Sequence, residues 1–395
     1  MRDYSFATKR KAGTVAGRSS PWMPLEGSSQ AVALEVLLHG PLSRSELARR
    51  VNLSHASLSR LTKPLLSSGL LVEGAAAPSP NGLGRPKQPL DVVENAHHFL
   101  GVKVTGDRVH AALTTMRARV VSRYSEPLPD HDVATVVGLV HDLVARARRE
   151  VEDVAGLGIS VGGQVRDGSV VTHATFLQWQ DIPLAEHLAK ATGLPVVVEN
   201  DVTALTEAER WFGAGRHTDT FTVVTVGAGV GYGLVAHGRL VTSEDAGIGL
   251  VGHTMVAPGG PRCAAGHSGC AGAVLSSDAI CAAVATATGR WVGIEEILRR
   301  AAAGEEVPGR AVRDAARALG RLIGTAASFS LSSTVVLGGE TVGLAQIARD
   351  AVDAGIRDVR HDEAHPVTLE IRGVGFEEWA RAAAVVAVQA FVAGE

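Results

Sequence analysis

Residues 43–69 read SRSELARRVNLSHASLSRLTKPLLSSG. Ser43 is placed to cap a helix running to Arg50, with Glu46 three residues on as in a capping box and Leu47 and Ala48 as its apolar positions. Val51-Asn52-Leu53 makes a tight turn, and Ser54 caps the next helix. In that helix Leu58, Leu61, Leu65 and Leu66 recur at helical spacing until Gly69 ends it. Two short helices joined by such a turn, the second with a polar N-terminal face, form the helix-turn-helix signature. Its outward residues Ser54, His55, Ala56, Ser57, Ser59, Arg60 and Lys63 are small, polar or basic, the types that reach base edges and phosphates in a major groove. Pro64 removes a backbone donor and predicts a kink, for which the sequence offers no functional reason.

Working outward, Ala31, Leu34, Val36, Leu37 and Leu38 predict a preceding helix stopped by His39-Gly40-Pro41. Residues 1–28 are rich in Ser, Gly and basic side chains and read as a flexible basic arm. Downstream, residues 70–72 and 90–93 read as two strands enclosing Asn81-Gly82-Leu83-Gly84-Arg85-Pro86-Lys87. That is a wing whose tip carries Arg85 and Lys87, with Arg85 suited to a minor groove. Residues 29–95 thus predict a winged helix-turn-helix. A three-helix protein-interaction module with a surface hairpin is the competing reading, and the basic wing favours DNA.

Charge supports the same division. Residues 1–90 hold 12 Lys and Arg against 5 Asp and Glu, while the remainder holds 26 against 36. A small basic segment on a large acidic one suggests a polyanion-binding module, although five of the twelve cations precede the first helix. At 395 residues the chain has room for two or three cores. It has no apolar run of the roughly 18–20 residues a membrane helix requires, and its basic N-terminus lacks the apolar stretch of a signal peptide. Three cysteines, Cys263, Cys270 and Cys281, argue against a disulfide scaffold. A cytoplasmic protein without membrane contact is expected.

From residue 98 onward, strand-like runs at 109–113, 154–161, 196–198, 221–226, 234–236 and 334–337 alternate with helical patterns. The latter cover about 132–150, 183–192, 202–213, 276–289, 309–331 and 342–356. The pattern predicts an α/β domain over 98–395 with mixed sheets and two lobes.

The motifs there, in order, are Val198-Glu199-Asn200-Asp201-Val202 with Glu207, Val226-Gly227-Ala228-Gly229-Val230-Gly231-Tyr232-Gly233, Gly252-His253, and Cys263 with Cys270. Together they resemble the ROK family (repressor, open reading frame, kinase). The resemblance implies an actin-like ATPase (ribonuclease H-like) fold, and the winged helix in front is the arrangement of ROK transcriptional regulators. It places Asp201 at the family's catalytic base, Asn200 and His253 at ligand-binding positions, and Gly338-Gly339 at a later nucleotide-side turn. It also implies a sugar or sugar-derived effector and a homodimer or dimer of dimers on a palindromic operator. Repression, as the sign of regulation, is likewise implied. Asn200-Asp201 would serve equally as the cap of a helix.

Several family positions differ. Where the kinases carry an acidic residue and glycines after the first strand, this chain has Lys103-Val104-Thr105-Gly106-Asp107. A lysine cannot help hold Mg²⁺, and Asp107 is negative where phosphate would sit. The two sugar-contacting glutamates are Leu250 and Gly272, and the usual proline is Gly162. These changes predict a regulator that uses no ATP, with Asp201 a vestigial base. The alternatives are a sugar kinase using Asp201, or a ligand-independent DNA-binding protein whose ROK domain is a scaffold. The family's zinc motif keeps Cys263 and Cys270 but has Ala265 for its middle cysteine. His253, Cys263 and Cys270 give three Zn²⁺ ligands where four are needed, and His267 is a nearby fourth candidate. A loop with free thiols is the other outcome.

Overall fold

The computed structural model describes residues 27–75, 88–373 and 375–393. The chain divides into two compact units, residues 1–212 with 379–395, and Gly213–Glu378.

The first unit opens with α1 (Gly27–His39), α2 (Arg44–Arg50), α3 (His55–Ser67), β1 (Leu71–Glu73) and β2 (Leu90–Val92). α1 begins two residues inside the stretch read as an arm. Asn52 takes φ 53 in the turn between α2 and α3, a conformation asparagine tolerates better than most side chains. α3 continues through Pro64 to Ser67. Every residue from Val32 to Leu38 is buried, Glu35 included. That carboxylate is answered by Arg50 at 3.0 Å. β1 and β2 pair antiparallel, Leu71 opposite Val92. They are the base of the predicted wing, whose tip (76–87) lies outside the described residues.

There follow β3 (His98–Val104), β4 (Arg108–Thr115), β5 (Val120–Pro127), α4 (Val133–Glu150), β6 (Val154–Val161), β7 (Gln164–Arg166), β8 (Val170–Ala174), β9 (Trp179–Ile182), α5 (Leu184–Thr192), β10 (Val196–Asn200) and α6 (Asp201–Phe212). One five-stranded sheet runs β10-β6-β3-β4-β5, and β7-β8-β9 form a small second sheet. In the large sheet β4 pairs antiparallel to both β3 and β5, whereas β3, β6 and β10 are parallel. Parallel neighbours need long crossovers, and α4 and α5 lie on those connections.

The second unit holds β11 (Phe221–Val226), β12 (Val230–Ala236), β13 (Arg239–Val241), α7 (Ala271–Leu275), α8 (Ser277–Thr288), α9 (Ile294–Ala302), α10 (Glu306–Ser330), β14 (Thr334–Gly338), α11 (Gly343–Ile347), α12 (Arg349–Val359) and β15 (Thr368–Ile371). Its sheet, β13-β12-β11-β14-β15, repeats the topology of the first: an antiparallel hairpin pair, then two strands parallel to the leading strand. Each sheet has its own core, Leu100, Val102, Leu143 and Ile159 in one, Val224, Leu275, Leu319 and Leu337 in the other. The stretch 342–356, read as one helix, is two: Ala348 leaves the helical region at φ −127, ψ 51.

The last helix, α13 (Glu377–Ala393), returns to the first unit at Trp379. It lies directly on the sheet. A Cβ on Gly101 would overlap the Ala380 carbonyl, and one on Gly158 the Ala383 carbonyl. We expect Gly101→Ala to destabilise the chain by about 1–3 kcal/mol, because the helix backbone must move to admit a methyl group. Urea unfolding checks this; an unchanged midpoint would contradict the contact.

Candidate functional site

The head presents one polar helix face. Ser43 Oγ accepts the Glu46 N–H at 3.2 Å, and Ser54 Oγ accepts that of Ser57 at 3.1 Å. Ser54 also donates to Ser57 Oγ, so both serines serve the cap of α3. The Glu46 carboxylate accepts from Arg50. His55, Ser59, Arg60 and Lys63 are exposed. His55, Ser59 and Lys63 recur every four residues and so share a face. Arg44 joins Ser59, Thr62, Lys63, Leu66 and Ser67 around a cavity of about 290 Å³ between α2 and α3, and pairs with Glu73 at 2.5 Å. Sequence reasoning passed over Arg44; the available signal was a cation directly behind the Ser43 cap. Arg85 and Lys87 lie outside the described residues.

In the first unit, Asn200 ends β10 and Asp201 opens α6. The Asn200 amide donates to the Gly163 carbonyl at 2.8 Å and its oxygen accepts the Thr203 N–H at 3.1 Å. Asp201 Oδ1 accepts the Val202 N–H, and Oδ2 lies 2.5 Å from Lys103 Nζ. Lys103 is 5% exposed and its ammonium stands 5.4 Å from the centre of the Trp379 ring. Both residues read as sugar or base positions therefore have internal partners. Removing one member of a pair this buried would cost roughly 3–5 kcal/mol by stranding the other charge.

In the second unit the glycine-rich turn joins β11 to β12. Its Ala228 N–H donates to Glu340 Oε2 at 2.8 Å. A Cβ on Gly227 would collide with that same carboxylate oxygen. Glu340 follows Gly338-Gly339 directly. A backbone amide of this turn thus holds one of the protein's own carboxylates.

Between β13 and α8 the chain folds back through isolated bridges, Met255 with Cys270 and Arg262 with Ser268. This gathers His253, Cys263, His267 and Cys270 so that all four donor atoms lie within 4.8 Å of one another. His253 Nδ1 is 3.7 Å from Cys263 Sγ and 3.4 Å from His267 Nδ1. Tetrahedral zinc with bonds of 2.0–2.3 Å separates its ligands by about 3.3–3.8 Å, a range that the two His253 distances match. Lost hydration pushes the Cys263 thiol up, but hydrogen bonds to the backbone at His267 and Ala265 outweigh it and leave the thiol below its ordinary range. Cys270 is pushed up, by lost hydration first and by Cys263 second. Two sulfur and two imidazole donors could hold a metal ion. Cys281 is apart from them, buried in the core of the unit.

The ROK family profile matches residues 99–381. The chain belongs to the ROK family. It is 28% identical over 247 residues to the DNA-binding transcriptional repressor Mlc of Escherichia coli (strain K12), covering 61% of each protein. With the dual regulator NagC of the same organism it is 24% identical over 345 residues, 83% of this chain and 84% of NagC. A match of that length cannot fit within residues 99–395, so it takes in part of the head. The glucokinase of Thermotoga maritima is 34% identical over 186 residues, 46% of this chain and 58% of the enzyme. The chain thus spans about three-fifths of the length of Mlc and of that glucokinase. Among solved structures, a ROK family transcriptional regulator homologous to E. coli MLC superposes with TM-score 0.77 at 23% identity, covering 93% of this chain and 98% of that one. A Streptomyces griseus ROK glucokinase with glucose and AMPPNP gives 0.65 at 26% identity, over 74% and 99%.

The other positions singled out from the sequence are also placed. Leu250 is 60% exposed, in a short helical turn (Leu250–His253) beside the His/Cys cluster. Gly272 sits in α7 with no side chain, a Cβ there meeting the Gly252 carbonyl at 3.3 Å. Gly162 leaves space beside Asp201 and the half-exposed Phe176 ring. No helix among the described residues is long and apolar enough to cross a membrane.

Proposed function

We propose that this chain is a cytoplasmic DNA-binding repressor that acts as a homodimer on a palindromic operator and answers to a sugar or sugar-derived effector without phosphorylating it. The observation that carries this reading is the head. α3 exposes His55, Ser59, Arg60 and Lys63 in front of a ROK domain, and two relatives, Mlc and NagC, are named as transcriptional regulators.

Loss of phosphoryl transfer is supported by charge. Lys103 brings a cation to the position where the kinases hold metal, and it engages the carboxylate that would serve as base. Glu340 brings an anion to the loop that would receive phosphate. Lys103 is opposite in charge to the acidic residue that the family resemblance puts at its position. The effector contacts we assign are Asn200 and Asp201, whose oxygens retain lone pairs beyond their internal bonds. His253 we assign to zinc together with Cys263, His267 and Cys270. There the ion would tie the loop 253–270 to α7 as a structural closure.

For DNA binding, Arg60→Ala and Lys63→Ala should each weaken binding to a duplex selected by the wild-type chain. Each lost phosphate contact should also lower the salt slope by about one unit. Fluorescence anisotropy across a salt series reads both, and two variants indistinguishable from wild type would remove α3 as the reading helix.

A coupled ADP-release assay with glucose, N-acetylglucosamine and xylose should give no turnover. ADP release that disappears in Asp201→Asn would establish the kinase instead. Elemental analysis of the purified chain should find about one zinc per chain, and less after His267→Ala. A wild-type preparation without zinc would refute the metal assignment.

A further inference from the structure

Arg117 lies in the turn between β4 and β5, and its guanidinium bonds among the described residues run to the head. Nε donates to the Leu37 carbonyl at 2.9 Å and Nη2 to the Val36 carbonyl at 2.9 Å. Nη2 also pairs with Asp91 Oδ1 at 2.5 Å. Val36 and Leu37 stand in the last turn of α1, where a cation is favoured, and the Val36 carbonyl also accepts the Gly40 N–H at 2.8 Å. Asp91 belongs to β2 and its Oδ1 also accepts the Val92 N–H. One side chain therefore joins the first helix of the head, the base of the wing and the large sheet. Gly40 makes room for it, since a Cβ there would stand 2.8 Å from both Arg117 Nη2 and Asp91 Oδ1.

The turn that carries Arg117 is itself fixed. Met116 and Ala118 are buried. Thr115 Oγ1 and Arg119 Nη2 donate to the two oxygens of Glu94, and the Met116 N–H donates to the Glu94 carbonyl. At the other end of α1, Gln30 Nε2 donates to the Val392 carbonyl of α13 at 3.1 Å. A 13-residue helix is about 20 Å long, and holding it near both ends fixes direction as well as distance.

We propose that Arg117 is the positioning residue through which the ROK domain sets the orientation of the DNA-reading head. The β4–β5 turn grips the C-terminal end of α1 while α13 grips the other, so displacement of the large sheet is passed to α2 and α3. This rests on the DNA-binding reading above. Freed of the grip, the head would have to be oriented afresh on DNA, a cost that appears as lost affinity.

The test uses the full chain with Arg117→Ala, Arg117→Gln and Arg117→Lys, and duplexes that the wild type selects from a random pool. A set with added base pairs between the two half-sites completes the substrates. Arg117→Ala and Arg117→Gln should bind the selected duplex at least about fivefold more weakly, the lower end of ordinary coupling effects. They should also show a flattened dependence on half-site spacing, while binding to unselected DNA stays unchanged. Arg117→Lys keeps the charge opposite Asp91 but not the planar fork, and should fall between. Wild-type affinity and spacing preference in all three variants would overturn the proposal. So would an equal loss on selected and unselected DNA, which marks a damaged head. Failure of the wild type to select any duplex would instead remove the DNA-binding reading, and this inference with it.

Discussion

The contact on which most of the first unit depends is the approach of α13 to the bare backbone of β3 and β6. Gly101 and Gly158 supply no side chains, so the helix backbone meets the sheet with nothing between them. Everything else on that helix is placed by this contact. Trp379 stands over Lys103 at one end, and Gln389, towards the other, donates to the buried Glu207 carboxylate at 2.6 Å. Phe391 packs edge-on against Phe99, and Val392 meets Gln30 of the head. One element therefore touches Lys103, the core and the first helix of the N-terminal module. Close packing of this kind transmits displacement instead of absorbing it.

Two internal charge contacts underlie the proposal that this ROK chain does not transfer phosphate. In one unit Lys103 engages Asp201; in the other Glu340 engages the Ala228 amide of the glycine-rich turn. Each satisfies a polar group within the protein. The first contact is costly to break, because both partners are largely withdrawn from water. On the proposed regulator reading, an effector would act there through its differential affinity for two arrangements.

What the sequence made legible was local. The Ser43 and Ser54 caps, the leucine spacing of α3 and the turn at Asn52 are settled within a few residues, and each is found where the pattern puts it. The ROK strands with long apolar runs were equally plain. α13 was not, because its Ala- and Val-rich stretch is buried over Ala380 and Ala382–Val388, and a helix covered all round shows no amphipathic period. The break at Ala348 was missed because no glycine or proline marks it. The decisive polar contacts join residues far apart in the chain: Lys103 with Asp201, Ala228 with Glu340, Arg117 with Leu37. No spacing rule reaches such pairs. His267 is intermediate: spacing alone offered it as a fourth ligand, and the fold-back through Met255 and Arg262 brings it to His253.

The account stands or falls on sequence-specific recognition of DNA. The most direct measurement is to recover the full chain from its native cells with its bound DNA and sequence the fragments. A dimeric, sequence-specific repressor would yield a limited set of genomic sites sharing one sequence with two-fold symmetry, its half-sites a helical turn or a multiple apart. Recovery of DNA in proportion to its abundance, with no shared sequence, would contradict it.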